Sequence, residues 1–142
     1  MNKKHYVSLD VAKMLKEKGF NESCLVLWDE EFKELIPASS ICSYKNQNHP
    51  NGYCSAPSLL EAMDWLEKKG VYMEIRFTSY KIKGVPMVIS PDDEYEYNYF
   101  FIIVTRNCVT AIFEDSEDDY PVTYTDRNEC INAAINKGAE LL

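Results

Sequence analysis

Leu66-Glu67-Lys68-Lys69-Gly70-Val71-Tyr72-Met73-Glu74-Ile75-Arg76-Phe77-Thr78 carries the fold in thirteen residues. Its first half reads as the end of a helix. Gly70 can take the left-handed conformation that closes one, and the lysines put positive charge at the negative end of the helix dipole. Its second half alternates. Val71, Met73, Ile75 and Phe77 point one way, and Tyr72, Glu74, Arg76 and Thr78 point the other. Alternation of that kind marks a half-buried strand with one wet face, as in an antiparallel sheet.

Upstream, Ser58 and Glu61 form a capping box with Pro57 just ahead, and Leu59, Ala62, Met63 and Leu66 share one helical face with Trp65 at its edge. A helix is expected near 58–69. A related ending, Leu15-Lys16-Glu17-Lys18-Gly19-Phe20, closes a helix expected near 8–18, with Ser8 as N-cap and Val11, Ala12 and Leu15 as its apolar stripe. The two endings lie 51 residues apart without matching flanks, so they are two uses of one stop signal. A third helix is expected near 126–141, capped by Asp126 with Glu129 at N3. Its apolar positions continue past Gly138, which reads as a mid-helix residue on the packed face. Close backbone approach is the reason to expect glycine there, since in a helix interior it costs about 1 kcal/mol relative to alanine.

Between the helices, Cys24–Trp28 and Phe32–Ile36 read as a hairpin ending before Pro37. Residues 38–54 read as loop, rich in Ser, Asn, Pro and Gly. Lys81–Gly84 reads as a turn, and Pro86 confines Val85–Ile89 to an edge. Tyr95–Thr105 is apolar on both faces in its second half, so that half should be covered on both sides of a central strand. A turn into Val109–Phe113, the acidic loop Glu114–Asp119 and a short strand near Val122–Tyr124 follow. Runs of strands with isolated helices give an α+β fold: one domain over 1–142, an antiparallel sheet of about four to six strands, and three helices packed mainly on one face.

Five scattered cysteines without a C-x-x-C pair fit reduced cytosolic thiols, several of them packed as small core residues. The chain has no apolar run long enough for a membrane span, and its basic N-terminus has no apolar h-region. A cytoplasmic location is expected. The net charge of −8 is uneven: residues 1–90 carry 12 Lys/Arg and 11 Asp/Glu, residues 91–142 carry 3 and 12. An acidic C-terminal third opposes direct nucleic-acid binding and suits a basic partner.

Several constellations could carry chemistry. Cys42, His49 and Cys54, with Cys24 as a further candidate, offer zinc-type ligands, but C-x6-H-x4-C matches no standard knuckle. A cysteine nucleophile would need Cys42 or Cys54 beside His49 or His5. Glu114, Asp115, Glu117, Asp118 and Asp119 offer hard oxygens for a divalent cation, without the glycine and distal glutamate of an EF-hand. Tyr72, Arg76 and Tyr80 share a strand face that could stack on a base or peptide, though exposed sheet faces carry such residues for propensity alone. The expected interaction surface is Phe100, Ile102 and Val104 with Tyr72 and Arg76. These three apolar side chains face away from the helices and need a cover. No cofactor is expected. A non-enzymatic binding protein, possible homodimer included, is the leading expectation. A small enzyme or metal-binding protein centred on the Cys42-His49-Cys54 loop is the alternative.

Tyr6-Val7-Ser8-Leu9 through Phe20, Ser55-Ala56-Pro57-Ser58-Leu59 through Trp65-Leu66, and the last helix with Gly138 make the chain similar to a group of small proteins from gut-bacterial genomes and their phages or prophages. The matching pieces cover about a third of the chain. The resemblance implies a bacterial or phage accessory protein and transfers no site residue.

Overall fold

In the computed structural model, residues 1–38, 46, 49–82, 85–86, 97–106, 108–112 and 122–142 are described, with the backbone alone for 78–82, 85–86, 97 and 108–112. A short 3-10 turn at Lys3–His5 leads into α1, Leu9–Glu17. Strands β1 (Val26–Asp29), β2 (Glu34–Pro37) and β3 (Tyr53–Ser55) follow, then α2, Leu59–Lys68. Strands β4 (Val71–Ile82), β5 (Val85–Pro86), β6 (Tyr97–Thr105) and β7 (Cys108–Ile112) precede α3, Arg127–Glu140. The fold is α+β, and its three long helices lie within a residue of the expected spans.

Capping explains those boundaries. Ser8 Oγ accepts from Val11 N, and the Ser58–Glu61 box is complete in both directions. Asp126 accepts from Asn128 N and Glu129 N. At the end of α1, Phe20 N donates to Leu15 O at 2.8 Å and Gly19 N to Lys16 O at 3.1 Å, the bond pair of a Schellman stop. At α2, Gly70 N donates to Glu67 O at 2.9 Å.

The expected single sheet is two sheets. One has order β2-β1-β3, the other β5-β4-β6-β7, and every pairing is antiparallel. The break comes from β3, which lies in the stretch read as loop. Three residues carry too little periodicity to announce a strand, yet Tyr53–Ser55 pairs with Leu27–Asp29 and completes the hairpin sheet. Phe32 belongs to the hairpin turn and stands exposed, and the sharp reversal puts Lys33 at φ 52°. Pro37 and Pro86 both sit in edge strands, where no ladder partner requires their missing N–H.

The helices divide between the sheets. α2 and α3 pack on β4, and α3 also on β6, whereas α1 packs on α3 and β3. One hydrophobic cluster runs through all of them, from Val7 and Leu15 through Trp28, Trp65 and Leu66 to Phe101, Ile103 and Ile135. Phe20 meets Trp65 edge-on at 5.4 Å, joining the end of α1 to α2. Trp28 Nε1 donates to the buried Val7 carbonyl at 2.9 Å, fastening the small sheet to the segment ahead of α1. Gly138 lies in the last turn of α3 and not mid-helix as expected, and it is buried against Val71, Leu66 and Met73, as its place in the apolar stripe predicts.

Candidate functional site

Register assigns the faces of the large sheet. Directly opposed residues share a face, and β4 aligns Tyr72 with Val104, Glu74 with Ile102, and Arg76 with Phe100. Alternation puts these six opposite Val71, Met73, Ile103 and Phe101, the side against α2 and α3. The outer face therefore gathers all five residues singled out in the sequence.

Burial along that face is uneven. Tyr72 is 38% exposed and its partner Val104 is 39% exposed, whereas Ile102 is 8% exposed and Phe100 is half-buried. The covered part of β6 is thus its middle and not its second half, and Ile102 is buried by its own chain. It sits on a central strand, paired with β4 on one side and β7 on the other. Val104, nearer the strand end, keeps its exposure. Asn98, in the first half of the strand, is also buried. Polar groups rim the exposed pair. Arg76 Nε donates to Glu74 Oε1 at 2.9 Å, and Arg106 donates to Tyr72 Oη at 3.3 Å. The bond from Arg76 holds the Glu74 carboxyl below its usual range. The side chain of Tyr80, third member of the expected stacking row, lies outside the described residues.

A second cluster lies in the 46–55 stretch. Asn46, His49 and Ser55 are buried polar residues in contact. Asn46 Nδ2 donates to Phe20 O at 2.9 Å, and Asn46 Oδ1 accepts from Ser55 N at 3.0 Å. One carboxamide so joins the end of α1 to the open edge of β3, satisfying backbone groups that burial would otherwise strand. His49 Nε2 lies 3.0 Å from Ser55 Oγ, while His49 Nδ1 is shut off from solvent with no hydrogen-bond partner among the described residues. Burial, with the nearby Lys16 cation second, pushes the His49 pKa down. The sequence named His49 from its residue type. Asn46 and Ser55 carry no signal of their own, because a loop asparagine and a strand serine are ordinary until the chain folds back.

This cluster makes a poor nucleophile site. Ser55 is fully buried. Burial pushes the Cys54 thiol up to about 11 and the Cys24 thiol up to about 12, so both stay protonated at neutral pH, and the thiolate is the reactive form. Among the described residues no three His, Cys, Asp or Glu side chains converge as a metal site. Cys42 and the acidic loop 114–119 lie outside the described residues. A cleft of about 170 Å³ between α2 and residues 20–24 is lined by Glu22, Glu61, Asp64, Lys68 and Trp65. It falls below the roughly 300–1,000 Å³ of small-molecule sites. No helix among the described residues is long and apolar enough to cross a membrane. No family model, curated protein or solved structure matches the chain.

Proposed function

We propose that this chain is a non-catalytic binding protein that acts through the outer face of the β4–β6 sheet, and that a second copy of the chain is its occupant. The observation that carries the reading is the Tyr72–Val104 pair: two apolar side chains in register, each more than a third exposed, on the face turned away from α2 and α3. A two-fold dimer needs a self-complementary patch. The rim supplies one, because Glu74 and the cations Arg76 and Arg106 lie on the same face and can pair across a two-fold axis. A net charge of −8 disfavours polyanionic partners such as nucleic acid. The high thiol pKa values argue against cysteine chemistry at the Cys54 end of the loop. The resemblance to gut-bacterial and phage proteins supports an accessory role, in a reducing cytoplasm where scattered cysteines persist as thiols.

Light scattering coupled to size exclusion, over a dilution series, tests the proposal. The wild-type chain is expected to run as a dimer at high concentration and dissociate on dilution. Val104→Glu puts a charged carboxylate at the centre of the patch and is expected to run as a folded monomer. A wild-type chain that is monomeric at every concentration overturns self-association, as does a Val104→Glu variant that dimerises like wild type.

A further inference from the structure

His49 is held in a position that disfavours its charged form. Its Nε2 is engaged with Ser55 Oγ, and its Nδ1 is enclosed without a partner among the described residues. A protonated imidazole carries a donor on both nitrogens. Protonation here leaves a buried N–H unsatisfied beside the Lys16 ammonium of α1, which itself donates to Tyr53 O at 3.3 Å. Lys16 is the described charged group that acts on the ring; the thiols of Cys24, which bonds Ser55, and Cys54 stay neutral, and the carboxylates of Glu61, Glu22 and Glu30 act on those thiols. The cheaper response is to move the ring into water. His49 N donates to Asn46 O at 3.4 Å, so displacing one residue disturbs the other. Asn46 is the link between Phe20 O and Ser55 N.

We propose that His49 is the proton sensor of a local latch, in which acidification releases Asn46 and His49 from Ser55 and Phe20 and uncovers the outer edge of β3. The device is independent of the sheet-face reading, since β3 and the Tyr72–Val104 pair belong to different sheets. Its sign is fixed. A histidine whose folded pKa is depressed favours the closed state above its free value, and that preference is lost as pH falls below it. The free value is about 6.5, and each pH unit below it multiplies the opening equilibrium about tenfold.

The test is amide exchange of the full chain between pH 7.5 and 5, corrected for intrinsic rates, together with an NMR titration of both histidine rings. The Ser55 amide, whose N–H is held by Asn46, is the reporter. Its protection is expected to fall about tenfold per pH unit below about 6.5 while Ile103 and Leu15 stay protected. His49→Gln, which cannot gain a proton, is expected to show no such pH dependence. The proposal is overturned if Ser55 protection is flat with pH in the wild type, if Ser55 opens only in step with Ile103 and Leu15, or if His49→Gln opens like wild type. Should His49→Gln fail to fold, the wild-type titration still decides. A His49 ring that titrates together with exposed His5 while Ser55 stays protected overturns the latch.

Discussion

Gly138 of α3 lies directly against Val71 of β4: a Cβ at position 138 would stand 3.1 Å from Val71 Cγ1, 3.3 Å from Leu66 Cδ1 and 3.4 Å from Met73 Cε. This contact is where helix, helix stop and strand converge, because Leu66 and Val71 flank the Gly70 turn. Gly138→Ala gains up to about 1 kcal/mol of helix propensity. It also overpacks against a β-branched side chain that has little freedom to turn, which costs about 1–3 kcal/mol. The expected net is a loss of about 1 kcal/mol in urea unfolding, with Gly138→Val worse. In a double-mutant cycle with Val71→Ala, the combined loss should be smaller than the sum of the single losses.

The two helix stops should respond differently to the same substitution. Gly19 and Gly70 have φ of 94° and 86°, so alanine at either place is strained by about 1–2 kcal/mol. At Gly19 a Cβ meets open space, whereas at Gly70 it would stand 3.2 Å from Arg106 Cβ. Gly70→Ala is therefore expected to lower the melting temperature more than Gly19→Ala. Equal losses would show that the Arg106 contact relaxes freely.

Trp28 joins the small sheet to the chain ahead of α1 through a single buried hydrogen bond to Val7 O. Trp28→Phe keeps a ring but strands that carbonyl, and about 2 kcal/mol of stability should be lost. Trp28→Tyr, with a hydroxyl in a different place, should not restore it. Denaturant unfolding of the three proteins gives the comparison.

Acid should weaken the start of α3. The Lys4 ammonium, 2.9 Å from Asp126 Oδ2, holds the Asp126 carboxyl below its usual range, with backbone donors from Glu129 and Asn128 assisting. A depressed carboxylate stabilises the fold above its unfolded value, about 3.9, and that contribution fades as pH falls through the folded value. Asp126→Asn keeps the cap acceptor and loses the charge, so its melting temperature should fall below wild type at pH 7 and meet it in strong acid. Asp126→Ala loses the cap as well and should be the least stable of the three at pH 7.

Some of this structure was legible from neighbouring residues. Ser58 and Glu61 are three apart and announce a box that forms as written. Gly138 stands inside a continuing stripe, and that was enough to place it against another element. The Val71–Ile75 alternation gave the inner face of β4, whereas Phe77, read on the same face, is 58% exposed. The misreadings fall where the deciding partner is remote. β3 is three residues long and exists because Leu27–Asp29 lies beside it. Ile102 and Val104 look alike in sequence and both lie between β4 and β7, yet Ile102 is 8% exposed and Val104 39%. Asn46 and Ser55 become a site when one amide spans the end of α1 and the edge of β3.

Local chemistry by itself determined the class of this protein, its three helices with their caps and stops, and the edge placement of Pro86, because each rests on contacts within a few residues. Only the tertiary structure decided that there are two sheets, that Ile102 is shielded while Tyr72 and Val104 stay open, and that His49 is enclosed with one nitrogen unpartnered. Those depend on which distant segments meet, and burial is a property of the meeting and not of the residue.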